Sequence, residues 1–323
     1  MFTFQEVLKI IDGEIRAMKY PRQPESLFEP IAYLLALKGK KIRPAFTLLA
    51  CNLYKEDVTA AVPMALAWEI FHNFTLMHDD VMDKADVRRG EPTVHKKWNE
   101  NTAILSGDAM LILAYTYLAK SSPGHLKELL DLFSETASGI CKGQEYDLLF
   151  ENRPDVTEAE YLEMIRLKTA ILLGAALKSG AIIGGAAEKD RNLLYDFGIN
   201  LGLAFQIQDD LLDVFGDPAV FGKKIGGDIL CNKKTYLLIS ALNSAGKSQK
   251  EELLFWLNSP DKEDAKIAAV TGIYTQLHVK EKAHSKMESC YREAIQAFQS
   301  LDITENRKEI LTDLAKNLMN REF

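Results

Sequence analysis

Two acidic motifs of the same form constrain this chain more than any other feature. The segment Asp79-Asp80-Val81-Met82-Asp83 recurs about 130 residues later as Asp209-Asp210-Leu211-Leu212-Asp213, and each copy ends a long apolar stretch with helical spacing. Residues four apart on an α-helix point to the same face. The first and third aspartates of each motif are therefore predicted to act as paired ligands.

The chemistry of these carboxylates indicates a hard metal ion. A charge buried beside an apolar wall is costly unless it is paired or bound to metal. Clusters that offer only oxygen ligands suit hard cations, and Mg²⁺ commonly shares one or two carboxylates with substrate phosphates. The sequence therefore predicts one site that holds Mg²⁺ and a diphosphate, with one acidic motif on each side of it. The predicted metal ligands are Asp79, Asp83, Asp209 and Asp213. A single copy would fit a solvated helix end equally well, and the second copy favours the metal site.

Helical periodicity runs through nearly the whole chain, and no sustained two-residue alternation appears. This pattern predicts an all-α bundle of about ten or more helices in a single domain over residues 1–323. The predicted helices cover 4–18, 26–37, 43–54, 62–78, 102–120, 126–150, 157–184, 191–215, 234–243, 250–256, 264–300 and 307–321.

Composition excludes several classes of protein. The net charge is −7, and the 39 basic residues form no stripe or tail of the kind that nucleic-acid binding needs. The four cysteines lie far apart without a C-x-x-C pair, which predicts a reduced, cytoplasmic protein. The longest apolar run, 169–187, contains Lys178 and several glycines, which favours a buried core helix over a membrane span.

Residues near the two motifs extend the predicted site. His72 lies on the helical stripe that ends in Asp79 and Asp83, and Gln206 occupies the matching stripe of the second motif. Basic clusters at 39–44, 88–90, 222–228 and 233–235 suit a diphosphate, because arginine offers a planar fork and lysine a compact charge. From its position alone, His72 could equally be a core histidine, and a single basic cluster is often only a solvated patch.

Together these residues resemble the trans-type isoprenyl diphosphate synthases, also called polyprenyl synthetases. The likeness covers most of the chain, with one departure: Leu237 stands where the family often has proline. The matching pieces are GKKIRP at 39–44, HNFTLMHDDVMD at 72–83, RRG at 88–90, SGD at 106–108, GQEYDL at 143–148, KT at 168–169, FQIQDDLLDVFGD at 205–217, GKKIGGD at 222–228 and KKT at 233–235.

The resemblance implies a helical bundle around a central cavity and head-to-tail condensation of an allylic diphosphate with isopentenyl diphosphate. It implies three Mg²⁺ ions per site, a homodimer, and Asp80 and Asp210 as further catalytic carboxylates that support the metal ligands. The remaining roles are carried over by position. Lys168, Lys223, Lys233 and Arg88 would hold the allylic diphosphate, Thr169 and Gln206 would face the allylic cation, and Lys40, Arg43, His72 and Arg89 would clamp isopentenyl diphosphate.

Product length is predicted from aromatic residues that precede the first motif. Phe74 lies five residues before Asp79, about 7.5 Å along a helix, and Phe71 lies one turn deeper. In the family, an aromatic residue at the position of Phe74 goes with short products. Thr75 is small and adds no second plug, so we expect a C15 or C20 product. Phe71 and Phe74 could also be ordinary core residues.

Three other functions use similar residues. A class I terpene cyclase also ionises a prenyl diphosphate, but its second motif usually mixes Asn, Ser or Thr with Glu. A non-catalytic partner subunit tends to lose the aspartates, whereas this chain keeps all six. A Mg²⁺-dependent diphosphate hydrolase would need water at a site that an apolar bundle tends to exclude. The sequence favours the synthase over all three.

Overall fold

The structure is a computed structural model that describes residues 1–21, 23–216, 225–259 and 263–319. Within these ranges the regular secondary structure is helical apart from one short hairpin, and the helices are joined by turns and loops. The first elements are α1 (Phe4–Ala17), α2 (Glu25–Ala36), α3 (Ile42–Asn52), α4 (Val62–Met82), β1 (Val87–Arg88), β2 (Glu91–Pro92), α5 (Val94–Lys97), α6 (Glu100–Leu118) and α7 (Leu126–Glu151). They are followed by α8 (Glu158–Ile165), a π-helical turn (Arg166–Ala170), α9 (Ile171–Gly184), α10 (Glu188–Phe215), α11 (Gly227–Leu230), α12 (Tyr236–Ser244), α13 (Lys247–Leu257), α14 (Glu263–Gln276), α15 (Val279–Gln299) and α16 (Glu305–Met319).

Local capping residues fix where several helices begin. Thr3 and Glu6 form a reciprocal capping box at α1, and Thr157 and Glu160 form a second one at α8. The Thr235 side chain accepts a hydrogen bond from a backbone N–H in the first turn of α12. These side chains satisfy backbone donors that have no partner within the helix. The start of each of these helices is therefore specified by its own local sequence.

The described residues form two compact units. Unit 1 comprises Met1–Ser134, Ala175–Tyr195 and Asp302–Ile310, and unit 2 comprises Glu135–Gly174, Asp196–Leu301 and Leu311–Phe323. The single domain predicted over residues 1–323 stays a prediction. Unit 1 contains the first acidic motif and unit 2 contains the second.

In unit 1, helix α4 packs most extensively against α6 and also against α3. The buried Trp68 ring on α4 stacks on Phe133 with ring centroids 4.7 Å apart, and its indole N–H donates to Ser179 Oγ over 2.9 Å. Aromatic rings bury large apolar areas, and a buried indole needs an acceptor for its N–H. This core holds α4 rigidly along the length that leads to the first motif.

In unit 2, a continuous apolar cluster joins the last turns of α10 to α8, α12, α14 and α15. It includes Ile207 and Val214 of α10, which lie on the face of the helix opposite Asp209 and Asp213. Tyr161 of α8 and Tyr236 of α12 pack in the same cluster with ring centroids 6.4 Å apart. The second acidic motif is thus held on one side by packed apolar residues.

Two predicted helices differ from the observed ones in more than the position of their ends. The helix predicted over 264–300 is wrong, because α14 ends at Gln276 and α15 begins at Val279, with His278 between them at φ +54°. The helix predicted over 157–184 contains the π-helical turn Arg166–Ala170 between α8 and α9. That turn carries two of the predicted site residues, Lys168 and Thr169.

The apolar stretch Glu158–Gly184 is long and apolar enough to cross a membrane. However, 78 % of its most apolar 18-residue window is buried inside the protein. Such burial is what a core helix of a folded domain requires, and the apolar run predicted as core over 169–187 overlaps this stretch.

Candidate active site

The first acidic motif lies at the C-terminal end of α4 in unit 1. Asp79 is partly exposed and Asp83, the residue that caps the helix, is exposed, whereas Asp80 is only 2 % exposed. The first and third carboxylates are on one face, as their four-residue spacing predicts. The middle carboxylate points into the protein.

Arg88 holds the buried Asp80 carboxylate. The guanidinium Nε donates to both carboxylate oxygens over 2.9 and 3.1 Å, and one Nη donates to Oδ1 over 2.5 Å. The same Nη lies 3.9 Å from Asp79 Oδ2. Bidentate contacts between arginine and carboxylate are short and have a well-defined geometry. Arg88, predicted to hold the allylic diphosphate, is therefore fixed at the edge of the motif by Asp80.

The second motif, at the end of α10 in unit 2, repeats this arrangement with different partners. Asp209 and Asp213 are partly exposed and Asp210 is 3 % exposed. The Tyr161 hydroxyl donates to Asp210 Oδ2 over 2.5 Å, and the backbone N–H of Tyr236 donates to the same oxygen over 3.2 Å. Burial, followed by the nearby charge of Asp228, raises the pKa of Asp210 to about 7, although these hydrogen bonds oppose the rise.

Both motifs therefore present their first and third carboxylates and bury the second against a protein donor. This pattern fits the predicted metal ligands Asp79, Asp83, Asp209 and Asp213, which offer only hard oxygen atoms. Within the described ranges, no group of three or more His, Cys, Asp or Glu side chains is placed to enclose a metal ion by itself. Mg²⁺ held here would complete its shell with water and diphosphate oxygens, as it commonly does.

The residues predicted to clamp isopentenyl diphosphate are all in unit 1. Lys40 is exposed just before α3, Arg43 lies in the first turn of α3, and His72 lies on α4. Gly39 lies so close to Arg89 that a Cβ atom built on it would be 3.0 Å from the guanidinium carbon. Among the described residues, no hydrogen-bond partner is present for the buried Nε of Arg43. A buried donor of this kind is available to an anionic ligand.

The electrostatics of this cluster keep its histidine neutral. Loss of solvation lowers the pKa of His72 well below its ordinary value, and the charges of Arg43 and Arg89 lower it further. Loss of solvation also lowers the pKa of Arg43 to about 10, which still leaves its guanidinium charged at neutral pH. The cluster thus combines permanent cations with a neutral imidazole that can donate one hydrogen bond.

Consecutive arginines diverge at the turn of the β1–β2 hairpin. Arg89 has φ +57° and Gly90 has φ +83°, so the backbone reverses between the two strands. Arg88 binds Asp80, whereas Arg89 donates to Asn73 Oδ1 over 3.4 Å. Asn73 in turn donates to the buried carboxylate of Glu69 over 3.0 Å, so this region of α4 contains a further acid that was not predicted from the sequence. The left-handed turn therefore directs the two guanidinium groups to different partners, the Asp80 carboxylate for Arg88 and the Asn73 amide oxygen for Arg89.

Unit 2 brings together Lys168, Thr169, Gln206, Asp210 and Lys233 around a small cavity of about 40 Å³. Lys168 Nζ donates to Asp147 over 2.5 Å, and the Thr169 hydroxyl donates to Gln206 Oε1 over 3.2 Å. The structure therefore places five predicted residues at one site. Lys223, also predicted here, lies outside the described residues.

Gly143 of α7 permits the π-helical turn to carry Lys168 into this cavity. A Cβ atom at Gly143 would lie 2.3 Å from the backbone nitrogen of Lys168 and 2.8 Å from its Cα. Backbone atoms cannot yield to such a contact without moving the turn. On the other side, a Cβ atom at Gly202 of α10 would lie 2.6 Å from Cα of Ala170. Close backbone approach thus fixes the position of the turn, and π-helical turns are often found at functional sites.

The aromatic residues predicted to set product length differ in their surroundings. Phe71 is 1 % exposed and packs against Phe133 with ring centroids 5.2 Å apart. Phe74 is partly exposed, and its ring centroid lies 4.8 Å from that of His78. The Thr75 hydroxyl donates to the backbone carbonyl of His72 over 2.8 Å, so it is occupied within the helix. Phe71 is a member of the packed core, and Phe74 lies nearer the surface of α4.

The SGD segment at 106–108 supports the His78 ring beside Phe74. A Cβ atom at Gly107 would lie 2.2 Å from His78 Nε2, so only glycine leaves room for the imidazole. The ring nitrogen lies 3.1 Å from the carbonyl oxygen of Ile104, and Ser106 Oγ donates to the carbonyl of Leu27 over 2.9 Å. The segment therefore fixes α6 against α4 at the level of the predicted tunnel floor.

No role was predicted from the sequence for Tyr161, Asp147, Asn73 or Glu69. Asp147 stands in the GQEYDL piece of the family likeness, which was a usable signal. Tyr161 lies 49 residues from Asp210 in the chain, and its local sequence does not predict their contact. Asn73 and Glu69 are four apart on the helix that carries His72, so their pairing could have been found from spacing.

Comparisons with known proteins show what the chain as a whole is similar to. Residues 24–274 match the family model described as Polyprenyl synthetase. The chain is 38 % identical to the short chain isoprenyl diphosphate synthase of Methanothermobacter thermautotrophicus, over 100 % of this chain and 98 % of that protein. It is 35 % identical to the geranylgeranyl diphosphate synthase of Methanosarcina mazei, over 97 % of this chain and 95 % of that protein.

Two further similarities concern product names and structure. A geranylfarnesyl diphosphate synthase of Aeropyrum pernix is 40 % identical over 72 % of this chain and 75 % of its own length. A crystal structure of a geranylgeranyl pyrophosphate synthase matches with a TM-score of 0.95 and 42 % identity, and the match covers 100 % of both chains. The named relatives thus differ in the length of the prenyl chain that their names state.

Proposed function

The chain belongs to the polyprenyl synthetase family, and on that premise we propose the roles of its acidic and basic residues. It is a trans-prenyltransferase that joins an allylic diphosphate to isopentenyl diphosphate and releases diphosphate. The observation that carries the proposed roles is the repeated arrangement of the two acidic motifs. In each, the first and third carboxylates are accessible, while the second is buried against Arg88 or Tyr161.

The proposed first step is ionisation of the allylic diphosphate. The C–O bond breaks, and its electron pair leaves with the diphosphate. We propose three Mg²⁺ ions per site, which Asp79, Asp83, Asp209 and Asp213 would hold and whose charge would stabilise this leaving group. Arg88, Lys168, Lys223 and Lys233 would add further positive charge there. Stabilising charge where it develops is typically the largest catalytic contribution.

Thr169 and Gln206 are proposed to face the allylic cation that results. Their side-chain oxygens are joined by a 3.2 Å hydrogen bond, in which the hydroxyl proton of Thr169 is directed toward Gln206. That bond leaves lone pairs of the Thr169 hydroxyl directed elsewhere, so this oxygen dipole can stabilise a nearby cation.

The second substrate, isopentenyl diphosphate, is proposed to bind Lys40, Arg43, His72 and Arg89. The unpartnered Nε of Arg43 and the neutral imidazole of His72 support this role, because both offer donors to phosphate oxygens. The alkene of this substrate attacks the allylic cation and forms the new C–C bond. The proton that must then leave is proposed to pass to the released diphosphate.

The relatives' names span geranylgeranyl and geranylfarnesyl products, and we propose a C15 or C20 product for this chain. The partly exposed ring of Phe74, held beside His78, supports its role as the floor that stops elongation. Phe71 would support that floor from within the core through its contact with Phe133.

We propose that the enzyme acts as a cytoplasmic homodimer. Helix α6 exposes Ile104, Leu105 and Ile112, whose side chains are 43 %, 61 % and 68 % exposed. An apolar face of this kind suits burial against a second copy. Cys51, Cys141, Cys231 and Cys290 are all free thiols, which suits a reducing compartment.

The test is an incubation of the purified protein with Mg²⁺, labelled isopentenyl diphosphate and a C5, C10 or C15 allylic diphosphate, followed by chromatography of the products. We expect products of C15 or C20, no turnover with EDTA, and recovery when Mg²⁺ is returned. Asp83→Ala should lower turnover by about 100-fold or more, equivalent to roughly 2.7 kcal/mol of lost stabilisation. Asp131→Ala, which removes an exposed acid of unit 1, should have no effect. Absence of condensation by the wild-type protein would contradict the proposal.

A further inference from the structure

Lys266 is a buried lysine that the reaction described above does not use. It lies on α14 in unit 2 and is 4 % exposed. Its ammonium group donates to Asn232 Oδ1 over 2.7 Å and contacts the backbone carbonyls of Leu230 and Leu257 at 3.4 and 3.5 Å. Among the residues that the structure describes, no carboxylate forms a salt bridge with it.

Burial of this ammonium group needs compensation from the oxygens around it. An ionised amine without a carboxylate partner is costly to bury. Here Leu230 is the last residue of α11 and Leu257 is the last residue of α13, so the charge lies at the C-terminal ends of two helices. Carbonyls at such ends lack partners within the helix, and the helix dipole favours a cation there. Lys266 therefore ties the ends of α11 and α13 together.

The third contact, Asn232, fixes the turn that follows α11. Asn232 has φ +53°, in the left-handed region that asparagine tolerates better than most residues. Its side-chain amide donates to the carbonyl of Leu257 over 2.9 Å, while its oxygen accepts from Lys266. The Leu257 carbonyl therefore holds the amide nitrogen of Asn232, and the Lys266 ammonium group holds its amide oxygen. The backbone of the next residue, Lys233, is then fixed by its N–H donating to the carbonyl of Asp228 over 2.9 Å.

This turn separates two consecutive lysines. Lys233 lines the small cavity that also contains Lys168 and Asp210. Lys234 instead lies 3.4 Å from the carbonyl oxygen of Glu151 and lines a different groove. A change in the backbone at Asn232 would redirect both side chains together.

We propose that Lys266 is a positioning residue for Lys233, acting through Asn232 to direct the Lys233 ammonium group into the cavity of unit 2. The proposal deepens the function proposed above, because it takes Lys233 to contact the allylic diphosphate. Lys266 itself contacts no substrate and serves the reaction through the conformation of residues 231–234.

The test compares the variant Lys266→Met with the wild-type enzyme in steady-state condensation. We expect kcat/KM for the allylic diphosphate to fall about tenfold, as for loss of one well-placed charge contact, with KM for isopentenyl diphosphate unchanged within about twofold. In a background that carries Lys233→Ala, Lys266→Met should cause no further loss, because the group that it positions is already absent.

The matched control is Lys308→Met, which removes a lysine of unit 1 that is also 4 % exposed. It should lower thermal stability without changing either KM. If Lys266→Met fails to fold by circular dichroism, Asn232→Gly replaces it, because glycine keeps the left-handed turn and removes the amide that Lys266 holds. Equal losses in the wild-type and Lys233→Ala backgrounds, or equal rises in KM for both substrates, would overturn the proposal. Wild-type turnover in the same assay tests the proposed function separately.

Discussion

The hydrogen bond between Tyr161 and Asp210 leads to a prediction about stability that depends on pH. The Tyr161 hydroxyl donates to the buried carboxylate over 2.5 Å. A hydrogen bond to a charged group contributes about 1.5–3 kcal/mol, and a neutral one about 1 kcal/mol. Tyr161→Phe removes only the oxygen and leaves the ring in its packed position. The loss should therefore be larger when Asp210 is ionised than when it is protonated.

The pH window follows from the pKa of Asp210. Burial, together with the charge of Asp228, raises that pKa to about 7 in the folded protein. In the unfolded chain an aspartate titrates near about 3.9. Between these values the unfolded state has released its proton and the folded state has kept it. Asp210 therefore contributes stability below about pH 4 that is lost as pH rises to about 7, a change of roughly 4 kcal/mol for three pKa units.

Removing the hydroxyl should raise the pKa of Asp210 further, because the bond favours the ionised form. We expect Tyr161→Phe to lower the free energy of unfolding by about 1 kcal/mol at pH 5 and by about 2–3 kcal/mol at pH 8.5. The assay is urea unfolding of the protein in EDTA, followed by far-UV circular dichroism at both pH values. EDTA excludes metal ions, which would otherwise bind the neighbouring carboxylates.

Tyr291→Phe is the matched control for this experiment. Tyr291 is a partly buried tyrosine of unit 2 that packs against the same apolar cluster, and burial alone raises the pKa of its hydroxyl. Its replacement should change the free energy of unfolding equally at both pH values. Equal losses for Tyr161→Phe at pH 5 and pH 8.5 would contradict this prediction, since Asp210 would then be in the same protonation state at both pH values.

Two other replacements test the cavity and the tunnel. Phe74→Ala should lengthen the product by at least one isoprene unit on chromatography, because it removes the ring that lies beside His78; an unchanged product distribution would count against the predicted floor. Gly143→Ala should lower kcat at least tenfold and destabilise the fold by about 1–3 kcal/mol, because its methyl group would meet the Lys168 backbone at 2.3 Å. Gly139→Ala, one turn earlier on α7, meets only flexible side-chain ends, Ile171 Cδ1 at 2.9 Å and Leu167 Cδ2 at 3.5 Å, and should be tolerated. Similar losses in both variants would argue against a specific role of the π-helical turn.

Much of the fold and part of the site could be predicted from short-range pattern. The spacing of apolar residues predicts the all-α class, and the four-residue spacing within each motif places Asp79 with Asp83 on one face. The single helix predicted over 264–300 is wrong because the helix ends before His278, at a point where the sequence has neither glycine nor proline. Local sequence does not predict a histidine at φ +54°, so this backbone conformation must be stabilised by the surrounding packing.

Local sequence is enough to specify most of the helices, the residue types of the site and the position of each carboxylate along its helix, because these depend on neighbours within one or two turns. Which carboxylate of each acidic motif is buried depends on tertiary packing. Asp210 meets Tyr161 across 49 residues, and Asn232 meets Lys266 across 34. Such pairs depend on how helices pack, and packing is set by the fit of many distant side chains at once. A spacing rule that extends over four residues carries no information about them.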